Sequence, residues 1–126
     1  MGGRGNMMKP LNERIQQFKA TGIIEGIKVL EPIKKRGKRP WHLPSMSNTP
    51  NTNYIKLTKT GDIAAIQHYG ADRLPTIRID FTHDHGKGNP HVELYEKGNE
   101  TGISRSMNLA EIKEYGKILK KFGKKP

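Results

Sequence analysis

The chain has 126 residues, of which 33% are hydrophobic, with 14 glycines, 8 prolines and no cysteine. That length suits one domain with a modest core and many loops, and the lack of cysteine removes disulfide frameworks, thiolate metal sites and thiol nucleophiles together. The net charge of +11 favours polyanionic partners, of which nucleic acid is the leading one, through a salt-sensitive attraction that ignores base sequence.

The charge is uneven. Residues 1–50 hold ten basic against three acidic residues, residues 51–107 hold seven of each, and residues 108–126 hold six against two. The excess therefore lies in the flanks. No apolar run has the length of a signal peptide or a bilayer span, so no membrane association is expected and the cytoplasm is the expected location.

Residues 1–10 lack any hydrophobic period and are expected to be disordered. The remainder, 11–126, is expected to be a single domain. Leu11, Ile15 and Phe18 recur at helical spacing ahead of Gly22, which predicts a short N-terminal helix over 11–20. Ile23 to Leu30 is rich in β-branched residues and predicts a strand ending at Glu31-Pro32. A basic, proline-rich loop follows over 33–53. It begins with Lys34, Lys35, Arg36, Lys38 and Arg39 and continues through the single tryptophan, Trp41. Trp41 has two readings: a packing anchor, or a stacking platform for a base beside phosphate-attracting cations.

Tyr54 to Thr58, the turn Lys59-Thr60-Gly61-Asp62, and Ile63 to Tyr69 predict a hairpin. Thr76 to Thr82 places Ile77, Ile79 and Phe81 on one face and Arg78, Asp80 and Thr82 on the other. His91 to Glu96 is the last strand predicted, with Val92 and Leu94 inward and His91, Glu93 and Tyr95 outward. Asn108 and Glu111 form a capping box for a closing helix with Leu109, Ile112, Leu119 and Phe122 as its apolar stripe. The expected class is α+β: an antiparallel sheet of about four strands, an N-terminal helix and a C-terminal helix.

The chemistry concentrates in the neutral middle. His83, His85 and His91 fall within nine residues. If the flanking strands pair with Thr82 opposite His91, then Asp80 meets Glu93 and Arg78 meets Tyr95 on the face turned away from Ile79 and Leu94. Gly86 and Gly88 free the backbone to present N–H groups to an anion, and Lys87 adds a charge. Two chemistries could use the cluster. A divalent metal could be held by two imidazoles and a carboxylate, although no metal-binding motif of high specificity is present. Alternatively RNA is cleaved without metal: an imidazole takes the proton of a ribose 2′-hydroxyl as that oxygen attacks phosphorus, while Arg or Lys steadies the phosphate.

The run Ile66-Gln67-His68-Tyr69-Gly70 to Arg78-Ile79-Asp80-Phe81-Thr82-His83-Asp84-His85-Gly86, closed by Asn89-Pro90-His91-Val92, resembles nuclease domains of the barnase, EndoU, colicin and RelE superfamily. The similarity covers about residues 54–96. Such domains occur at the ends of bacterial polymorphic toxins and in phage proteins, and the resemblance implies a helical N-terminal part followed by an antiparallel sheet. It implies His83, His85 and His91 as acid-base candidates, Arg78 and Lys87 as phosphate binders, and Thr82, Ser104 or Ser106 as the hydroxyl group. A toxin of that type would need an immunity or antitoxin partner, expected to be acidic to match the basic flanks. The family pattern commonly reads Pro-His-x-His, whereas Glu93 stands in the second position here; a carboxylate there can serve as base, or it can mark lost activity.

The expected function is thus a metal-independent endoribonuclease of toxin type, with no cofactor, acting through His83, His85, His91, Arg78, Glu93 and Thr82. RNA or DNA would be held by Lys34, Lys35, Arg36, Lys38, Arg39, Trp41 and Lys87. Two alternatives stand beside it: a non-catalytic basic nucleic-acid-binding protein of phage-associated type, and a metal-dependent nuclease.

Overall fold

A computed structural model describes residues 17–33, 41–82 and 90–126. Among these, seven strands form one sheet in sequence order: β1 (Phe18–Ile24), β2 (Ile27–Pro32), β3 (Thr52–Leu57), β4 (Ile63–Tyr69), β5 (Pro75–Asp80), β6 (His91–Glu96) and β7 (Asn99–Ser106). All neighbours are antiparallel except β2 and β3, which run parallel. Two short helices follow, α1 (Leu109–Glu114) and α2 (Gly116–Lys121).

The expectation of an α+β fold with four strands and an N-terminal helix is therefore wrong: the described chain is mostly β. The helix predicted over 11–20 fails at Phe18–Ala20, which lie in β1; residues 11–16 are outside the described residues. Ile23 to Leu30 is two strands rather than one. Glu25 and Gly26 both take positive φ, 49° and 80°, between the paired Ile24 and Ile27. This is the two-residue turn whose twist matches antiparallel strands. The same device at Lys97-Gly98 (φ 50° and 81°) joins β6 to β7, a strand the sequence reading omitted.

One face of the sheet is aliphatic. Ile55, Ile66, Ile79 and Val92 align across β3 to β6, each with at most 1% of its surface exposed, and Tyr115, Ile118 and Leu119 of the helical end pack onto them. The capping box at Asn108 and Glu111 forms as predicted. Arg105 adds a two-pronged ion pair to Glu111, both N···O distances being 2.8 Å. The closing helix is broken at Tyr115, whose φ of −103° and ψ of 13° leave helical geometry ahead of Gly116. Burial pushes the Tyr115 phenol up from its ordinary pKa, and its hydroxyl donates to Asn53 in the sheet. Leu109, expected in the apolar stripe, is exposed at the first position of α1.

The other face carries polar side chains beside a small apolar cluster. Strands β2 and β3 are parallel, so the chain between them must cross the sheet, and its described part, 41–51, lies over this second face. Leu43 packs on Leu30 and Ala65, with Trp41, Phe18 and Tyr54 around them. Gln67 and Tyr69 donate to the carbonyl of Pro44, and Ser47 shares a 2.9 Å hydrogen bond with Tyr54.

Candidate active site

Strand alternation and the observed register put the chemistry-bearing side chains in two rows across the polar face. One row runs Lys56, Ala65, Asp80, His91, Ser106; the next runs Tyr54, Gln67, Arg78, Glu93, Ser104. The pairing expected from the sequence, Thr82 opposite His91, is displaced by two residues: Asp80 is opposite His91, and Arg78 is opposite Glu93. A slip of two leaves every side chain on its expected face, because the side-chain period of a strand is two. Arg78 and His91 accordingly share one surface of the sheet.

Within this face His91 is wholly buried and bonds through Nε2 to Glu93 Oε1 at 2.9 Å. The Glu93 side chain keeps 16% of its surface exposed, so of the two it is the carboxylate that a solute can reach. His91 was expected to face outward; it lies on the predicted face but beneath its surface. Asp80 is also buried, and its Oδ1 accepts from both the backbone N–H (2.9 Å) and the hydroxyl (3.0 Å) of Thr82. Thr82 thus orients Asp80. Arg78 Nη1 donates to the Tyr95 hydroxyl at 2.8 Å and to Glu100 Oε1 at 3.0 Å. Burial pushes the Tyr95 phenol up to about 12, which the guanidinium of Arg78 partly opposes, so the group is a hydrogen-bond donor at neutral pH.

Lys56 was not among the sequence candidates. Its ammonium donates to the carbonyl of Trp41 and stands 4.6 Å from the centre of the Trp41 ring. Burial lowers its pKa first, the Asp80 carboxylate opposes that shift, and the Arg78 cation adds to it. Those couplings place it within the electrostatic reach of the Asp80–Arg78 group. The signal that could have found it is its two-residue offset from Tyr54 in β3, which fixes its face once the β3–β4 hairpin is drawn.

Trp41 is half-buried, with Phe18 at 5.9 Å between ring centres and Lys56 on its ring, the environment of a packing residue. His83, His85 and Lys87, and the basic run Lys34, Lys35, Arg36, Lys38 and Arg39, lie outside the described residues. No cluster of His, Asp and Glu suited to a metal ion occurs among the described residues. No protein-family model, curated protein or solved structure matches the chain, so any functional reading stands on the geometry alone.

Proposed function

We propose that the polar face of β3 to β6 is the active centre of a ribonuclease that cleaves RNA by attack of a ribose 2′-hydroxyl on the adjacent phosphorus, without metal. The observation that carries this reading is the pairing of Glu93 with Arg78 across β5 and β6, with His91 buried behind Glu93. It puts a proton acceptor beside a phosphate-binding cation on a rigid sheet. Glu93 takes the 2′-hydroxyl proton as the oxygen attacks. Arg78 steadies the charge that gathers on the phosphate oxygens. His91 holds the carboxylate in position through Nε2. The new bond joins 2′-oxygen to phosphorus and the broken one releases the 5′-oxygen, which needs a proton. Lys56, on the same face and coupled electrostatically to Asp80 and Arg78, is the candidate to provide it.

Incubation of the purified chain with RNA in a chelator tests this. The expected products carry 2′,3′-cyclic phosphate ends, and an oligonucleotide lacking the 2′-hydroxyl is left intact. Cleavage of the 2′-deoxy strand at the same rate would refute the mechanism, and cleavage only after zinc or magnesium is added would favour a metal-dependent nuclease instead.

One observation favours a second reading. His91 is fully buried, and Arg78 and Lys56 already have protein partners, as in a module that binds nucleic acid through its basic flanks and performs no chemistry. That module would bind RNA with a steep salt dependence and never turn it over.

A further inference from the structure

The contact between Arg78, Tyr95 and Glu100 has a geometry that a simple surface ion pair does not require. One carboxylate oxygen of Glu100 receives two hydrogen bonds, from Arg78 Nη1 at 3.0 Å and from the Tyr95 hydroxyl at 3.2 Å. Arg78 Nη1 also donates to the Tyr95 hydroxyl. A guanidinium and a phenol thus converge on one anionic oxygen. The donors are well covered, the Arg78 side chain keeping 19% of its surface, while the Glu100 side chain is 59% exposed. The receptor is set in the sheet and its occupant hangs in water.

The backbone builds this arrangement through an irregularity. Glu93 pairs with Ser104, and continuing that register would set Gly102 opposite Tyr95. Instead Tyr95 pairs with Glu100, because β7 carries two extra residues at this point. Such a bulge re-aims a side chain at the cost of local pairing. Here it delivers a carboxylate to the two donors where glycine would otherwise stand.

We propose that Arg78 and the Tyr95 hydroxyl form a preorganised subsite for a phosphodiester oxygen, and that Glu100 is a resident carboxylate which occupies the subsite until substrate displaces it. This deepens the proposed function: it adds Tyr95 as a phosphate ligand and Glu100 as a competitor within the same site. The Glu100 partner is 59% exposed and so stays largely hydrated, which keeps the pair to about 1 kcal/mol and puts displacement within the reach of an incoming phosphate. Because Glu93 stands directly across from Arg78, phosphate held by Arg78 lies next to the proposed base.

The test uses inorganic phosphate as probe, titrated into the full chain while the Arg78 side-chain N–H signals are followed by NMR. Glu100→Gln removes the competing charge and keeps the side chain's size. Expected is binding roughly fivefold tighter than in the unmodified chain, the equivalent of releasing one exposed ion pair. Glu96→Gln removes another exposed charge, at the end of β6, and should change binding much less. Adding Tyr95→Phe to Glu100→Gln should cancel most of the gain. Binding by Glu100→Gln that is equal to or weaker than that of the unmodified chain, or the same gain from Glu96→Gln, would overturn the subsite. Because phosphate binding needs no turnover, the two ideas fail separately. Tighter phosphate binding without cyclic phosphate products leaves the subsite standing and removes the ribonuclease. RNA cleavage indifferent to Glu100 does the reverse.

Discussion

The two faces of this sheet are built on opposite terms. Beneath the helices, Ile55, Ile66, Ile79 and Val92 are buried by contact with Tyr115, Ile118 and Leu119, and the free energy there is that of apolar surface removed from water. On the other side Asp80, His91 and Gln67 are equally hidden, but each holds its place through hydrogen bonds to a neighbour. A buried charge is tolerated only when paired, and contributes little net stability when it is. The comparison teaches that one face is held by apolar burial, while the other combines a small apolar cluster with buried polar groups that are held by hydrogen bonds.

The largest effect should come from breaking the aliphatic side. Ile79→Ala removes three carbons at a position with no exposed surface and should cost roughly 2–5 kcal/mol, read as a lower urea midpoint with an unchanged slope. A change below about 1 kcal/mol would mean that the helices do not close over β5 as described.

On the polar side the same logic predicts a separation of stability from activity. Glu93→Gln keeps the shape and a hydrogen-bonding partner for His91, so the unfolding free energy from urea titration should fall by about 1 kcal/mol or less. Loss of the proposed base should slow RNA cleavage by about 10²–10⁴-fold. Full activity in this variant would remove Glu93 from the reaction.

That division was partly visible in the amino-acid order. Strands β4 and β6 have the limits read from their alternation, and the capping box of Asn108 and Glu111 is local enough to be seen without tertiary information. The shared face of Arg78, Asp80, His91 and Glu93 survives a two-residue error in pairing because face depends only on parity. Three things were hidden. Phe18 completes a helical spacing with Leu11 and Ile15, yet β1 pairs with β2 and tertiary pairing overrides so short a period. Strand β7 is mostly exposed and contains Gly102, so it shows no alternation to detect. The partnership of Arg78 with Glu100 depends on the bulge in β7, which no spacing along the chain reveals.

The helical end, which packs on the aliphatic face, gives a prediction of intermediate size. The guanidinium of Arg105 holds the Glu111 carboxyl below its ordinary value of 4.5, with burial opposing and the Asn108 N–H assisting. A carboxyl whose pKa is lowered by folding adds stability that is present above the unfolded value and is lost as pH falls through the folded one. Glu111→Gln should therefore lower stability by about 1–2 kcal/mol at pH 7. The gap between the two proteins should narrow as pH falls below 4.5, in parallel urea titrations. A gap that stays constant down to pH 3 would show that the ion pair is not the source.

The smallest effects should come from the two turn glycines, and their difference sharpens the contrast between bare edge and built site. Gly26 has φ +80° with nothing within 4 Å of where a Cβ would stand, whereas Gly98, at φ +81°, would bring its Cβ to 3.3 Å from the Leu74 side chain. Both alanine variants carry the strain of a left-handed residue, about 1 kcal/mol. Gly98→Ala must in addition shift Leu74 or the turn that leads into Glu100. Gly26→Ala should thus lower the melting temperature slightly and leave phosphate binding as it was, because β1 and β2 lie away from Arg78. Gly98→Ala should lower the melting temperature further and alter phosphate affinity with it. Equal melting temperatures and equal affinities for the two variants would mean that the β6–β7 turn has no part in placing Glu100.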